Sequence, residues 1–423
     1  MIILYDLIFI LIALAYLPVY LIKGKFHKGF ASRLGVLPKS LELNNPIWVH
    51  AVSVGEAMAV RQLVDKLRLA YPSKKFVFST VTATGNKIVK AIAKDSDLVI
   101  YLPLDLSFIV SKVVGRVRPA AFIIAETEIW PNLISCLSAK NIPVVLINGR
   151  ISDSSFKGYS LVKLILRGIL NKVSLFCVQT QTDVKRLISL GVDENRIRVT
   201  GNLKFDIKPR RDSRDNSSSL RQKLGINAKD KVFIAGSTHA NEEAMILRVY
   251  KGLFEVFPGL RLLIAPRHPE RAPEIDDIVS RSGFNPVRIS GLAAGNAKGD
   301  SARAVFILDT IGQLADFYSI ADLVFVGGSL VKKGGHNILE PAVLGKAVIF
   351  GPFMFNFRDI ADLFLSNGAA CSVSGEEELK KAISLLLKDP RKIEELGAKA
   401  GRLIVENQGA TERTLGFIRD FKI

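Results

Sequence analysis

Residues Phe325 to Phe350, FVGGSLVKKGGHNILEPAVLGKAVIF, predict a buried strand, a glycine-rich loop, a helix and a second buried strand. The glycines allow the main chain of the loop to approach a ligand closely. Proline suits the first position of a helix, so we expect the helix to begin at Pro341 and Glu340 to occupy the cap. A helix N-terminus favours an anion such as phosphate, and the Glu340 carboxylate could accept hydrogen bonds from sugar hydroxyls. The stretch therefore indicates either a sugar-phosphate site or an ordinary glycine-rich loop before a helix.

The alternation of strands and helices extends from this stretch over the whole chain of 423 residues. Strand-like runs such as PIWVHAVSV, KFVFSTVTA, KVFIAGS and RLLIAPR alternate with segments of helical periodicity, which predicts parallel sheets covered on both faces. A charged, serine-rich segment, KPRRDSRDNSSSLR, divides the pattern in two. We therefore predict two doubly wound, Rossmann-like domains, residues 23–207 and 223–423, with a linker at 208–222 and a helical tail at the end. Ligands of such sheets bind outside the carboxyl ends of the strands, so we expect an interdomain cleft.

The composition restricts the classes of partner. A hydrophobic content of 48% and a charged content of 23% are typical of a globular protein, and the net charge of +18 indicates anionic partners. No nucleic-acid motif with interleaved aromatic residues is present, so we expect a phosphorylated substrate and an anionic membrane surface but no nucleic acid. The motif Asp95-Ser96-Asp97 resembles a metal-binding pattern but lies at the end of the predicted sheet away from the cleft, which favours a turn. We predict no metal.

Residues 1–22 are almost wholly apolar, interrupted by Asp6 and Pro18. At about 1.5 Å per helical residue, this segment is long enough to span a bilayer core of roughly 30 Å. It lacks a preceding basic region and a small-residue cleavage site, which argues against a removed signal peptide. The basic residues that follow it, Lys23, Lys25, Lys28 and Arg33, place the rest of the chain in the cytoplasm. We expect a membrane anchor that either spans the inner membrane or lies in its interface.

Three charged residues in the first domain follow predicted strands and are candidates for chemistry. Glu56 in SVGE could act as an ionised base held by a helix N-terminus, but Ser53 and Glu56 also match a structural capping box. Glu126 in AETEIWPN is a candidate cleft acid, and the alternative for it and for its neighbour Glu128 is a solvated loop. Lys204 in TGNLKFD could meet a phosphate or a carboxylate, or be an ordinary surface lysine.

The second domain carries further candidates after its strands. Arg267 in APRHPER can bind a phosphate through its guanidinium group, and DTIGQL offers main-chain groups at Gly312 to a base or a ribose. His268 could be a ligand or a hydrogen-bonded polar residue, whereas we interpret His239 in GSTHANEE as the latter.

Taken together, the motifs HAVSVGE, ETEIWPN, TGNLKFD, AGSTH, APRHPER and GGSLVKKGGHNILEPAVLGKAVIFGP resemble the 3-deoxy-D-manno-octulosonic acid (Kdo) transferases of lipopolysaccharide assembly. The resemblance runs in order along most of the chain, although the glycine-rich loop alone is common to many GT-B glycosyltransferases. It implies a GT-B fold and an inverting transfer of Kdo from CMP-Kdo to a tetra-acylated lipid A precursor, lipid IVA. It implies no cofactor beyond the donor substrate.

The resemblance also implies roles for individual residues. Glu56 matches the general base, and Glu126 and Lys204 match positions that stabilise the transition state. The positions that match the CMP site are Pro266, Arg267, Ile311, Gly312, Gln313, Asn337, Ile338, Leu339 and Glu340. Gln313 stands where many members carry glutamate, which weakens any hydrogen bond attributed to a carboxylate there.

Two other functions are compatible with parts of the sequence. Another GT-B nucleotide-sugar enzyme, such as an epimerase or a transferase for a different lipid-linked sugar, would share the glycine-rich loop, but SVGE and ETEIWPN argue against it. A non-catalytic membrane scaffold would be expected to lack the cleft residues, whereas Glu56, Arg267 and Glu340 are all present.

Overall fold

Short apolar strands form two parallel sheets of seven strands each in the computed structural model, which describes residues 2–22, 29–38, 43–209, 216–293 and 303–421. The chain divides into two units, the first comprising Met1–Asp206 and Asn407–Ile423 and the second Ile207–Glu406. The predicted pair of doubly wound α/β domains is therefore confirmed.

The sheet of the first unit has the strand order β3-β2-β1-β4-β5-β6-β7. Its strands are β1 Ile47–His50, β2 Phe76–Thr80, β3 Leu98–Tyr101, β4 Ala121–Ala125, β5 Val144–Gly149, β6 Leu175–Val178 and β7 Ile197–Val199. Its helices are α1 Ile2–Ile22, α2 Phe30–Arg33, α3 Val54–Ala70, α4 Ala83–Ile92, α5 Ser107–Val117, α6 Pro131–Ala139, α7 Asp153–Leu161, α8 Lys163–Leu170 and α9 Gln181–Ser189. The order of the strands reverses between β1 and β4, and ligands of doubly wound sheets bind at such a switch point.

The sheet of the second unit has the order β10-β11-β9-β8-β12-β13-β14, with its switch point between β8 and β12. Its strands are β8 Lys231–Thr238, β9 Leu260–Pro266, β10 Asn285–Arg288, β11 Ala304–Ile307, β12 Leu323–Val326, β13 Ala347–Phe350 and β14 Cys371–Ser372. The helices of the second unit are α10 Asn216–Lys223, α11 Glu242–Phe254, α12 Ala272–Arg281, α13 Ile289–Ala293, α14 Leu314–Phe317, α15 Leu339–Ala342, α16 Arg358–Ser366, α17 Glu376–Lys388 and α18 Pro390–Asn407. The last helix, α19 Ala410–Arg419, belongs to the first unit.

Alternating strand residues fill both faces of the first sheet. Trp48 of β1 and Phe122 of β4 belong to one hydrophobic cluster, whereas Ile47 and Val49 belong to a second cluster on the other face. Because successive side chains of a strand point to opposite faces, these continuous apolar runs are what a sheet covered by helices on both sides requires.

The domain boundaries differ from the prediction at two places. The segment that we interpreted as a linker, residues 208–222, becomes helical at α10, while residues 210–215 lie outside the described part of the chain. The end of the chain, assigned from sequence to the second domain, belongs to the first unit, where α19 contacts α3. The Asp206 carboxylate accepts hydrogen bonds from the main-chain N–H groups of Gly409 at 2.6 Å and Thr411 at 2.5 Å. This carboxylate therefore caps α19 in place of a local side chain.

Helix α1 is attached to the first unit along one narrow face. The Asp6 carboxylate accepts hydrogen bonds from the Ser107 main chain at 3.1 Å and from Asn132 Nδ2 at 2.7 Å, and Phe9 packs against the core. Asp6, which we interpreted as an interruption of an apolar span, thus supplies the missing cap of α5. Within the described residues, no helix is both long enough and apolar enough to cross a membrane. The basic residues Lys23, Lys25 and Lys28 lie outside the described part of the chain.

Candidate functional site

The polar loops of the first unit meet at its switch point. Glu56 lies in the first turn of α3, directly after β1, and Glu126 follows β4, the neighbouring strand. Because both strands are parallel, their carboxyl ends lie side by side, which brings two of the predicted catalytic residues to one edge of the sheet.

The Glu56 carboxylate is buried, with 8% of the residue exposed, and it accepts two local hydrogen bonds. The Val52 main-chain N–H donates to Oε2 at 2.7 Å, and Ser53 Oγ donates to Oε1 at 2.8 Å. The Glu56 N–H in turn donates to Ser53 Oγ at 3.3 Å. The structural alternative to the catalytic role, a cap at the start of α3, is therefore present in the structure, so capping alone does not distinguish the two roles.

The electrostatic environment of Glu56 differs from the expectation that a helix N-terminus keeps it ionised. Burial raises the pKa of Glu56, while the hydrogen bonds from Val52 and Ser53 lower it. The charge of Glu126 raises this pKa further, and the charge of Lys204 lowers it. Desolvation is the largest of these effects, so the carboxyl group is a stronger proton acceptor than an exposed glutamate.

Lys204 and Glu126 form an ion pair, with Lys204 Nζ 3.3 Å from Glu126 Oε1. Lys204 lies in a 3-10 turn over Leu203–Asp206, and the Leu203 N–H donates to the side chain of Asn148, a buried residue at the end of β5. Glu126 itself has a φ of 59°, a left-handed conformation that costs a non-glycine residue free energy and that is concentrated at functional sites. The structure thus holds the three predicted catalytic residues of the first unit in one cluster.

Glu128 belongs to the same cluster, although the sequence did not single it out from its neighbour Glu126. Burial raises its pKa to about 7, and the charges of Glu56 and Glu126 raise it as well. Glu128 is therefore the carboxyl group of this cluster that changes its ionisation near neutral pH. The spacing of two glutamates in ETE after a strand is the signal that could have identified it.

A cavity of about 280 Å³ in the second unit is lined by residues that include Lys208, Gly312 and Glu340. Its size is close to the lower end of the range of roughly 300–1,000 Å³ that small-ligand sites occupy. Gly312 has a φ of 86°, which favours glycine and exposes main-chain groups of the loop between β11 and α14. Two of the predicted donor-site segments therefore line one cavity, together with Lys208, which the sequence placed in the linker.

The helix after the glycine-rich loop begins earlier than predicted. Helix α15 covers only Leu339–Ala342 with Ile338 as its cap, so the expectation that Glu340 caps a helix starting at Pro341 is wrong. Asn337 instead binds the first residues of the helix. Its Oδ1 accepts the Leu339 N–H at 3.1 Å, and its Nδ2 donates to Glu340 Oε1 at 3.2 Å. The side chains of Ile338 and Leu339 are buried, so only their main-chain groups could serve a ligand.

The remaining predicted donor residues lie on two other loops of the second unit. Pro266 ends β9, and the next residue, Arg267, is exposed and donates its main-chain N–H to Thr238 at 2.9 Å. Ile311 is exposed and Gln313 caps α14, where Thr310 Oγ1 donates to Gln313 Oε1 at 2.6 Å. The side-chain oxygen of Gln313 is therefore bound by the neighbouring Thr310 hydroxyl.

The Glu242 carboxylate binds main-chain N–H groups of the glycine-rich loop that the sequence indicated as a phosphate site. Its fully buried carboxylate accepts main-chain N–H groups of Gly328 at 2.7 Å, Ser329 at 3.1 Å and Leu330 at 3.0 Å. It also accepts the His239 N–H at 2.9 Å. The N–H groups of residues 328–330 are therefore already satisfied by a protein carboxylate, and any phosphate must bind elsewhere on the loop.

The next residue, Glu243, binds a residue at the end of β8 and an arginine that follows β9. It accepts Thr238 Oγ1 at 2.9 Å and the guanidinium group of Arg271 at 2.8 Å. The pair Glu242-Glu243 at the start of α11 thus ties together the loops that follow β8, β9 and β12. We did not identify either residue from the sequence, because adjacent glutamates in a first helical turn are usually solvated.

Asp95 and Ser96 lie in a turn, and the Asp97 carboxylate accepts the Phe76 N–H at 3.0 Å and the Lys94 N–H at 2.7 Å. The interpretation of this motif as a turn is therefore confirmed. In the described part of the chain, no group of three or more His, Cys, Asp or Glu side chains could hold a metal ion.

Comparisons with known proteins identify relatives along most of the chain. A family model described as 3-deoxy-D-manno-octulosonic-acid transferase (kdotransferase) matches residues 28–207. The 3-deoxy-D-manno-octulosonic acid transferase of Haemophilus influenzae is 36% identical over 377 residues, which are 89% of this chain and 87% of that protein. The transferase of the same name from Chlamydophila psittaci is 31% identical over 97% of this chain and 94% of its own length.

Solved structures support the fold class. A UDP-GlcNAc 2-epimerase from Neisseria meningitidis, crystallised with UDP-GlcNAc, aligns with 89% of this chain and all of its own, at a TM-score of 0.58 and 14% identity. At this identity the likeness shows the shared two-sheet fold, in agreement with the GT-B class expected from the sequence.

Proposed function

This chain belongs to the family of 3-deoxy-D-manno-octulosonic acid (Kdo) transferases, and from that premise we propose that it transfers Kdo from CMP-Kdo to a lipid A precursor. The observation that carries the proposal is the cluster of Glu56, Glu126 and Lys204 at the switch point of the first sheet, in a chain whose relatives bear this name. The acceptor that we propose is lipid IVA, the tetra-acylated precursor.

The donor is proposed to bind in the second unit. The cavity lined by Gly312 and Glu340 offers main-chain groups and a carboxylate to a cytidine, and Lys208 beside it carries a positive charge. Arg267, exposed after β9, is proposed to bind the phosphate through its guanidinium group. Pro266, Ile311, Gln313, Asn337, Ile338 and Leu339 complete the proposed CMP site. No cofactor or metal is included in the proposal, since the donor carries a single phosphate.

We propose that Glu56 removes the proton from the attacking sugar hydroxyl. Attack on the anomeric carbon with inversion requires one base and forms no covalent enzyme intermediate, and the bond to CMP breaks as the new glycosidic bond forms. The raised pKa of Glu56 favours this role, because a carboxylate of higher pKa is a better proton acceptor. Lys204 and Glu126 are proposed to stabilise the negative and positive charges that develop in the transition state.

The first unit is proposed to lie on the cytoplasmic face of the bacterial inner membrane through α1. Leu7, Leu11 and Leu14 are 55%, 66% and 59% exposed, on a helix whose Tyr5, Asp6 and Phe9 face the protein. A soluble surface rarely exposes so many large apolar side chains on one element, which supports a helix lying in the membrane interface. The net charge of +18 supports contact with anionic lipids.

A second exposed apolar segment supports the same orientation. Leu161 and Leu164, where α7 meets α8, are 88% and 92% exposed. Contacts of α1 with α5, of α5 with α6 and of α6 with α8 place these helices in one layer on one face of the first sheet. The same side of the unit therefore carries both apolar surfaces.

Product analysis tests the proposed function. The purified full-length chain is incubated with CMP-Kdo and lipid IVA in detergent, and the lipid is analysed by mass spectrometry. We expect the mass of the lipid to increase by one or more Kdo units with release of CMP. Turnover of UDP-GlcNAc without any Kdo transfer would instead favour an epimerase or another nucleotide-sugar enzyme, and an absence of turnover with intact binding would favour a scaffold.

A further inference from the structure

Two histidines of the second unit, 97 residues apart in the chain, form a hydrogen bond with each other. His239 follows β8 and His336 lies in the loop after β12, so they flank the switch point of the second sheet. Their Nε2 atoms are 2.9 Å apart, and their rings are nearly parallel, with an interplanar angle of 7° and centroids 5.1 Å apart. For two nitrogens at this distance, one ring must donate an N–H and the other must accept it.

The loops around the pair are built closely onto the two rings. Gly328 has a φ of 69°, and a Cβ atom there would lie 3.1 Å from His336 Cδ2 and 3.3 Å from His239 Cδ2. The N–H groups of His239 and Gly328 both donate to the buried Glu242 carboxylate. This carboxylate therefore fixes the main chain on both sides of the histidine pair.

The charged groups that face the two imidazoles are predominantly positive. His268 lies 5.9 Å from the His239 ring between centroids, and Arg267, Arg271 and Lys333 lower the pKa of His239 after the larger effect of burial. Burial likewise lowers the pKa of His336 to about 4, with smaller contributions from His239, Arg267 and His268. Three acidic groups are nearby: Glu242 is bound to main-chain N–H groups, Glu243 is bound to Arg271, and Glu270 Oε1 lies 3.4 Å from His268 Nδ1.

We propose that His239 and His336 form an anion-binding pair of the donor site, which takes up one proton from solvent as the donor phosphate binds. This inference rests on the proposed function of the second unit. Two proposed donor residues are linked to the pair: the Arg267 main-chain N–H donates at 2.9 Å to the carbonyl of Thr238, the residue before His239, and Asn337 directly follows His336. No bond of the donor is made or broken in this step; one imidazole becomes an imidazolium, and its positive charge is balanced by the phosphate.

The physical reason for the proton uptake is the change in charge around the pair. Without a ligand, burial and the surrounding cations keep both imidazoles neutral at pH 7. A bound phosphate places a negative charge beside them and raises their pKa. Between the pKa of the free pair and that of the bound pair, affinity therefore falls as pH rises, by up to about tenfold per pH unit for one proton.

Calorimetric titration tests this directly. The ligand is the methyl ester of cytidine 5′-monophosphate, a phosphodiester that keeps one negative charge between pH 6 and 8, and CMP is titrated in parallel. Titrations at pH 7 in buffers of different ionisation enthalpy measure the protons taken up per ligand. We expect roughly half to one proton for the full-length chain.

Single variants assign the proton to the pair. His239→Asn and His336→Asn should each abolish the proton uptake and weaken binding about tenfold. His268→Asn removes a neighbouring histidine outside the pair and should retain the uptake. A Gln variant replaces any Asn variant that has lost its thermal unfolding transition.

Three results would overturn the inference. Binding without proton uptake in the unmodified chain would refute the pair while leaving the donor site intact. Uptake that persists in both pair variants, or that disappears in His268→Asn, would assign the proton to another group. Absence of binding by CMP and by its ester would refute the donor site itself, and the pair with it.

Discussion

Lys204 Nζ lies 3.3 Å from Glu126 Oε1, although 78 residues separate the two in the chain. Both influence the pKa of Glu56, in opposite directions: the lysine lowers it and the glutamate raises it. The proposed base is therefore placed between a group that favours its ionised form and a group that disfavours it. This relationship makes the pH dependence of the reaction a direct test of the cluster.

Lys204→Met should move the rising limb of the pH–rate profile to higher pH. Removal of the positive charge raises the pKa of Glu56, so a higher pH is needed to ionise the base. Glu126→Gln should move the limb to lower pH, because it removes a negative charge. The measurement is kcat/KM between pH 5 and 9. Lys66→Met, which removes a lysine paired with Glu412 elsewhere in the first unit, is the control and should not move the limb. If Lys204→Met and Glu126→Gln move the limb in the same direction, the proposed arrangement of these charges around Glu56 is wrong.

Glu56→Gln should lower kcat by about 10²–10⁴ while Tm stays near that of the unmodified chain. Glutamine keeps the size of the side chain and much of the cap but cannot accept a proton. Asp183→Asn is the matched control, because Asp183 is the buried member of another capping box, with Thr180 Oγ1 donating to it at 2.6 Å. If both variants lose activity only in proportion to their loss of folded protein, Glu56 is a structural cap.

Glu128→Gln should raise Tm at pH 8 and change it little at pH 4.5. The pKa of Glu128 is about 7 in the folded protein, above its ordinary value of 4.5, so ionisation disfavours the folded state. The stability present below pH 4.5 is lost as pH rises through 7, and glutamine avoids that loss. Glu378→Gln is the control with the opposite sign, because a hydrogen bond from the Ser374 main chain lowers the pKa of Glu378. An equal change in Tm at both pH values for Glu128→Gln would refute the shifted pKa.

Arg267→Ala and Glu340→Ala should each weaken CMP binding by roughly tenfold or more. Hydrogen bonds to charged groups contribute about 1.5–3 kcal/mol, and each variant removes at least one from the proposed donor site. The control is Arg303→Ala, which removes an arginine stacked over the Phe284 ring in the same unit. Calorimetry or fluorescence titration with CMP measures the affinity. Unchanged affinity in both folded variants would place the donor elsewhere.

Replacement of Leu7 and Leu11 by serine should weaken binding to vesicles of anionic phospholipid by at least roughly tenfold. Burial of one leucine side chain contributes about 1.5–3 kcal/mol, and both residues lie on the exposed face of α1. In the control variant, serine replaces Val256 and Val405, which are 62% and 69% exposed in the second unit. This variant should bind the vesicles as tightly as the unmodified chain does. Vesicle flotation measures the binding. Equal losses in both variants would indicate a nonspecific hydrophobic effect.

The sequence by itself determined the two sheets and the end of each sheet at which chemistry is expected. Apolar runs of strand length that alternate with amphipathic helices have few arrangements other than a doubly wound parallel sheet. In such a sheet every strand ends at the same edge, so Glu56 and Glu126 were predictable at one edge, whereas the pairing of β1 with β4 that makes them neighbours is given by the structure. Local patterns were sufficient here because strand length, side-chain alternation and turn residues are local properties.

Only the tertiary structure decided how these residues are partnered. The Glu242 carboxylate takes the N–H groups of a loop that begins 86 residues later, and Asp206 caps a helix more than 200 residues away. The buried position of Glu128 determines its pKa, and the neighbour of His239 is His336. Burial and long-range hydrogen bonds depend on which segments the fold brings together, and neither residue type nor local spacing contains that information.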